Sequence, residues 1–186
     1  MTKHPTVSFD SEELILVDEQ DRVVGYRDKA GCHQGQGILH RAFSIFIFND
    51  KGELLLQQRS GQKPLWPLFW SNSCCSHPRK GETTEEATLR RLQEELGFTT
   101  PLIFLYKFIY HAPFGDRGAE RELCYVYVGK YTGPVRVNPN EIARWKFVAA
   151  AELDREMQEH PEQFTPWFRM EWERIRKDYW KVVQSL

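Results

Sequence analysis

Apolar side chains recur along this chain with two different periods, and the change from one to the other marks its elements. From Leu39 to Phe48 apolar and aromatic residues alternate with strong β propensity, the polar run Asn49-Asp50-Lys51-Gly52 follows, and Glu53 to Gln58 returns, which predicts a β-hairpin. Before it, Glu13 to Asp18 and Val23 to Tyr26 read as short strands around the turn Glu19-Gln20-Asp21, and Gly31 to Gly37 as a glycine-rich loop carrying His33. After it, Ser60 to Ser71 holds Pro64, Trp66, Pro67, Phe69 and Trp70, which predicts a rigid aromatic loop. The period then becomes helical: Leu89, Leu92 and Leu96 recur on one face, Thr83 and Glu86 form a capping-box pair, and Gly97 stands where a helix stops. Pro101 to Tyr110, Glu120 to Val128 and Arg144 to Val148 read as further strands, and Ala149 to Glu159 and Pro166 to Val183 as closing helices.

This order describes a mixed α+β chain with one helix set between strands, and no repeat or linker divides it. Its 186 residues and 22.0 kDa fit one domain over residues 1–186 with room for a buried core. A formal net charge of −1 gives no global reason to expect a nucleic acid or an anionic membrane as partner, so any phosphate binding must be local. No apolar run approaches the roughly 20 residues that span a bilayer, and Met1 to Asp10 has no signal-like apolar stretch. A cytoplasmic protein with no membrane partner is the expectation. The cysteines Cys32, Cys74, Cys75 and Cys124 are too irregular for a disulfide framework, which leaves packing, metal binding or catalysis to reduced thiols.

The chemistry concentrates in Ser71-Asn72-Ser73-Cys74-Cys75-Ser76-His77-Pro78 and in the carboxylate-rich helix that follows. Glu120 and Glu122 are two apart, so in an extended segment their side chains leave one face and can meet a single ion; Cys75 and His77 have the same spacing, so one metal centre can tie the two segments together. Taken alone, a buried cysteine is usually a packing residue and a lone histidine a satisfied polar one. Cys74 and Cys124 read as core thiols, His4, His111 and His160 as surface or satisfied residues, and Trp66, Trp70 and Trp145 as core.

Read from Ser76, the spacing to Glu82, Arg90, Leu92, Glu94, Glu95, Gly97 and Phe98 resembles the Nudix box, in which a helix lends carboxylates to magnesium on a diphosphate. Two positions depart from it. Ser76 replaces the first glycine, which would strain a turn requiring positive φ. Arg91 stands where the hydrolases have a glutamate one turn before Glu95, so the hydrolytic metal cluster is expected to be crippled. Together with Asn72-Ser73-x-Cys75-x-His77-Pro78 and Glu120-x-Glu122-x-Cys124, these departures make the chain from about Leu14 to Pro166-Trp167 similar to the type I isopentenyl diphosphate isomerase family.

The resemblance implies a Nudix-like α/β (α+β) fold with a mixed sheet flanked by helices. It implies metal ligands at His33, His40, His77, Glu120 and Glu122, a proton-transfer pair at Cys75 and Glu122, and a magnesium carboxylate at Glu95. Lys29, Arg59 and Lys63 fall on basic positions near a substrate diphosphate, Tyr110 on an active-site tyrosine, and Trp167 on an aromatic near the reacting carbons. The implied activity shifts the double bond of isopentenyl diphosphate to give dimethylallyl diphosphate, in isoprenoid precursor synthesis. Three imidazoles and two carboxylates suit Zn or Mn, whereas Mg suits Glu95 and the diphosphate. A small-molecule substrate and a monomer or weak homodimer complete the expectation. The competing readings are a Nudix hydrolase of a nucleoside diphosphate derivative and a noncatalytic binding module in which the metal site is structural.

Overall fold

The computed structural model describes residues 4–186. Among these the chain forms β1 (Glu13–Val17), β2 (Val23–Asp28), α1 (Lys29–His33), β3 (His40–Phe48), β4 (Leu54–Arg59), β5 (Trp70–Ser71), β6 (Cys74–Ser76) and α2 (Thr84–Leu96). The second half contributes β7 (Leu102–Pro113), β8 (Ala119–Lys130), β9 (Ile142–Val148), α3 (Ala150–Glu159), α4 (Pro166–Arg174) and α5 (Trp180–Gln184).

β3 is the spine of a mixed sheet. It runs parallel to β8 along its whole length, from His40 opposite Glu122 to Phe48 opposite Lys130, and antiparallel to β6, where Ser44 faces Cys75. A strand with both faces covered reads as a near-continuous apolar run, and eight of the nine residues of β3 are buried. Its alternate residues serve two cores: Phe43, Ile45 and Ile47 pack against Leu92 and Leu96 of α2, while Ala42, Phe46 and Phe48 share a cluster with Trp167, Phe168 and Trp172 of α4. The sheet is thus a middle layer between α2 and the C-terminal helices.

Four expectations are corrected. β3 and β4 do not zip into a hairpin; they share a single pairing at Phe48 and Leu54, and β4 pairs instead with β9 along its length. The polar turn brings the chain back, but the long partners of both strands come from residues 119–148. In α2 the buried stripe is Ala87, Arg91, Leu92, Glu95 and Leu96, whereas Leu89 is exposed, because the helix turns a charged pair rather than Leu89 toward the sheet. Trp145 is also exposed, at 38%. The predicted helix over Pro166–Val183 is present but interrupted by a π-helical stretch over Ile175–Tyr179.

Local signals around α2 are realised as the sequence predicts. The backbone N–H of Glu86 donates to Thr83 Oγ1 at 3.2 Å while the N–H of Thr83 donates to Glu86 Oε2 at 2.9 Å, a reciprocal cap of the kind worth about 1 kcal/mol. Gly97 ends the helix at φ 77°. Ser76 lies in β6 opposite Phe43 and is not among the residues with positive φ, so its side chain strains no turn. The glycine-rich segment is partly helical: Asp28 caps α1 by accepting from the N–H of Gly31 at 2.8 Å, and this turn delivers His33.

Candidate active site

One cleft opens where the N-terminal end of β3 and the flanking ends of β6, β7 and β8 meet α1 and α4. Four cationic residues line it, Lys29, Arg59, Lys63 and Arg91, together with His33, His77, Glu120 and Glu122. Cys75, Tyr110 and Trp167 line it as well. Cations, a thiol, a phenol, an indole and the imidazole–carboxylate group thus share one cleft, with Arg59 beside the thiol and over the indole.

His33, His40, His77, Glu120 and Glu122 each offer a ligand atom, and these atoms lie within 4.8 Å of one another. They come from α1, β3, the segment after β6, and β8. The β3–β8 register sets His40 beside Glu122, and the extended backbone of β8 turns Glu120 and Glu122 to one face. His33 is brought in by a close approach of backbones, since Gly118 has φ 142° and a Cβ there would meet the His33 carbonyl oxygen at 2.2 Å.

The hydrogen bonds fix the imidazoles for ligation. The Nδ1 of His33 lies 2.7 Å from the Lys29 carbonyl and that of His40 2.7 Å from the Ile38 carbonyl. A carbonyl only accepts, so each Nδ1 carries the hydrogen and each Nε2 presents its lone pair inward. There His33 Nε2 is 2.8 Å from Glu120 Oε2 and His40 Nε2 3.6 Å from Glu122 Oε1, without the alignment of a hydrogen bond. Lone pairs converging on carboxylate oxygens repel unless a proton or a cation lies between them. Accordingly, although burial alone would depress it, the Glu120 carboxylate raises the pKa of His33 to about 9. Burial, with His40 and His33 beside it, holds His77 well below the usual imidazole range. Buried, converging and partly orphaned donors of this kind fit a divalent cation.

The part of the cleft around Tyr110 and Cys75 is equally constrained. Tyr110 donates to Glu122 Oε2 at 2.6 Å, tying phenol to carboxylate. Glu122, buried among these donors, has its pKa lowered: burial opposes ionisation, but the nearby His40 imidazole and the hydrogen bond from Tyr110 outweigh it. Burial pushes the Cys75 thiol up to about 12, and its charged neighbour is Arg59, whose Nη1 is 4.0 Å from the sulfur. Arg59 also donates to the carbonyls of Leu65 and Trp66 and lies over the Trp167 ring at 5.3 Å. It therefore braces the loop in which Trp66 and Leu68 adopt φ 47° and 63°, positions where bulky side chains are strained. Trp66 in turn packs edge-on against Trp167 at 5.2 Å.

Glu95 is not among the residues lining the cleft. It is buried one layer behind, where Arg91 donates to it through both Nε and Nη2. Cys74 and Cys124 are buried core thiols, and His111 and His160 are exposed.

Two buried carboxylates escaped the sequence reading. Glu141 accepts from Lys63 and Arg91. Glu171, 0% exposed on α4, accepts from Cys124 at 3.5 Å and has one oxygen without a partner. Neither has a local signal: each reads as an ordinary glutamate, one in a polar turn and one in a charged helix. Burial raises Glu171 from 4.5 to about 8. At neutral pH it is therefore protonated in the folded chain and ionised in the unfolded one, so its contribution to stability is full below pH 4.5 and is lost as pH rises toward 8. Glu171→Gln removes that loss. Denaturant midpoints are expected to show the variant gaining on the parent as pH rises, by about 3 kcal/mol at pH 7; parallel pH profiles would contradict it.

Comparison with known proteins accords with this geometry. A NUDIX domain profile matches residues 38–168. The chain is 42% identical over 170 residues to isopentenyl-diphosphate Delta-isomerase 1 of Photorhabdus laumondii, covering 90% of this chain and 97% of that one. It is 46% identical over 157 residues to the isopentenyl-diphosphate Delta-isomerase of Serratia proteamaculans, covering 84% and 87%. Among solved structures, the Deinococcus radiodurans protein DR0079 superposes with a TM-score of 0.66 at 26% identity, over 80% of this chain and 90% of that one. With the Nudix spacing carried on α2, the sheet between two helical layers, and identity of this order over nearly the full length of its relatives, the chain belongs to the isopentenyl-diphosphate Delta-isomerase family of NUDIX-domain proteins.

Proposed function

We propose that this protein interconverts isopentenyl and dimethylallyl diphosphate by adding a proton at one end of the allylic system and removing one from the other, with Cys75 and Glu122 as the proton-transfer pair. The observation that carries this reading is that both groups line one cleft together with the cations Lys29, Arg59, Lys63 and Arg91. One proton enters at the terminal methylene and one leaves the carbon next to the oxygen-bearing carbon, so no atom is gained or lost, and reversal exchanges the partners' roles. Where the thiol is buried and Glu122 is ionised, the pair begins as one protonated and one deprotonated group, as an acid–base exchange requires.

The protonated alkene has tertiary cation character, and water would capture it. Trp167, Leu65 and Pro64 give the cleft its apolar lining, and Trp66 packs edge-on against Trp167. The Trp167 ring offers a cation–π contact worth about 2 kcal/mol when desolvated, more than tenfold in rate if it is made only in the transition state. Tyr110 holds Glu122 in place by its hydrogen bond. Lys29, Arg59 and Lys63 are proposed to bind the diphosphate.

His33, His40, His77, Glu120 and Glu122 would hold a divalent cation, for which Mn or Zn suits the mixed nitrogen and oxygen donors. Bound there, such an ion supplies positive charge that keeps Glu122 ionised and oriented. Mg is proposed to accompany the substrate diphosphate near Glu95, whose pairing with Arg91 would have to loosen. Hydrolysis is disfavoured because the guanidinium of Arg91 occupies the position on α2 from which a second carboxylate would act, and is itself bonded to Glu95 and Glu141.

Proton NMR of isopentenyl diphosphate with the protein in deuterated buffer tests the reading. Allylic product carrying solvent label is expected. Unchanged alkene signals with released phosphate would replace isomerisation with hydrolysis.

A further inference from the structure

Two of the cations that line the cleft, Lys63 and Arg91, share a buried anion. Glu141 precedes β9 and is 3% exposed, yet its Oε2 accepts from Lys63 Nζ and, at 3.1 Å, from Arg91 Nη2. The main chain of the same residue holds the loop that carries Lys63: the N–H of Ser60 donates to the Glu141 carbonyl at 2.9 Å, and the N–H of Lys63 donates to the Ser60 carbonyl at 3.1 Å. One residue therefore fastens both the backbone and the ammonium of Lys63.

The two cations depend on Glu141 unequally. Arg91 has further partners, with Glu95, Glu94 and the Val7 carbonyl accepting from it. For Lys63, among the described residues, Glu141 is the one side-chain partner. Lys63 has a flexible four-carbon stem and would otherwise turn toward solvent, away from the repulsion of Arg91 and Lys29. A carboxylate between Lys63 and Arg91 offsets that repulsion and leaves the remaining ammonium hydrogens free for an incoming anion.

We infer that Glu141 is a positioning residue for the anionic end of the substrate, holding Lys63 beside Arg91 so that a diphosphate meets two preplaced cations. The inference rests on the functional reading above for the identity of the ligand, and deepens it by naming what organises its binding.

Its signature is a split between binding and turnover, because Glu141 acts through Lys63 on the charged head of the substrate and not on the reacting carbons. Glu141→Gln is expected to raise KM for isopentenyl diphosphate about tenfold with kcat within about twofold, and to weaken binding of inorganic pyrophosphate, measured by calorimetry, in parallel. In a Lys63→Ala background the same substitution is expected to add less than about twofold, since its effect runs through Lys63. Glu141→Asp, which keeps the charge and shortens the reach, is expected to give an intermediate KM and supplies the comparison if the glutamine variant does not fold. An unchanged or lowered KM, a fall in kcat alone, a fully additive double variant or a wild-type KM in the aspartate variant would each overturn the inference. If pyrophosphate binding responds as stated while isopentenyl diphosphate is not isomerised, the functional reading fails and the role of Glu141 stands.

Discussion

Replacing Cys75 with Ala is expected to lower kcat by at least about 10³-fold while leaving the fold and the metal site in place. The size follows from the role: a positioned acid or base contributes about 10²–10⁴-fold, and no other thiol reaches the cleft, since Cys74, two-layer neighbour in β6, points into the opposite core with Phe43 and Leu92. The structural effect is small because Cys75 lies in the three-residue strand β6 and Ala fits the same extended backbone. Cys75→Ser keeps the shape but replaces the thiol with a hydroxyl of much higher pKa, so it too is expected to be nearly inactive. Turnover measured with isotope incorporation from solvent, beside a thermal midpoint and a metal titration, separates the outcomes. Activity near that of the parent in either variant would remove Cys75 from the chemistry and favour a structural reading of the cluster.

Removing divalent metal is expected to have the second large effect, on stability as well as activity. With no cation between them, His33 and Glu120 rely on a proton: the His33 pKa, raised to about 9, makes their pairing fully stabilising below the unfolded value of 6.5 and lost as pH climbs through 9. A cation held by His33, His40, His77, Glu120 and Glu122 would take the place of that proton in offsetting the buried carboxylates. Chelation at pH 8 is therefore expected to lower the thermal midpoint, and added Mn or Zn at about 1,000 times its Kd to restore about 4 kcal/mol. Because binding expels a proton, metal affinity is expected to fall as pH drops below 9, by up to about tenfold per unit for each proton released. His40→Ala, which removes a fully buried ligand from β3, is expected to abolish the metal-dependent shift. A midpoint indifferent to both chelator and metal would sink the proposed centre.

The parts of this protein that were legible in the sequence are those whose signals are local. Thr83, Glu86 and Gly97 announced the limits of α2 because a cap is made by residues three or four apart. The pairs Cys75 and His77, and Glu120 and Glu122, announced shared faces because alternation along an extended backbone is a property of the chain itself. The family resemblance added which of these residues belong together. The hairpin expected between Leu39 and Gln58 failed for the complementary reason: turn chemistry predicts that a chain reverses, and the choice of neighbour is made by burial, which set β3 beside β8 and β4 beside β9.

The sequence by itself determined the order of elements, the capped helix carrying Arg91 and Glu95, and the residue types available for ligation and proton transfer. Only the tertiary structure decided that His33, His40 and His77 bring their nitrogens within 4.8 Å of two carboxylate oxygens, that Glu95 is bonded to Arg91 rather than facing the cleft, and that Glu141 and Glu171 are buried. Those facts depend on contacts between residues tens of positions apart, where register, close backbone approach and desolvation act, and a one-dimensional pattern carries no record of any of them.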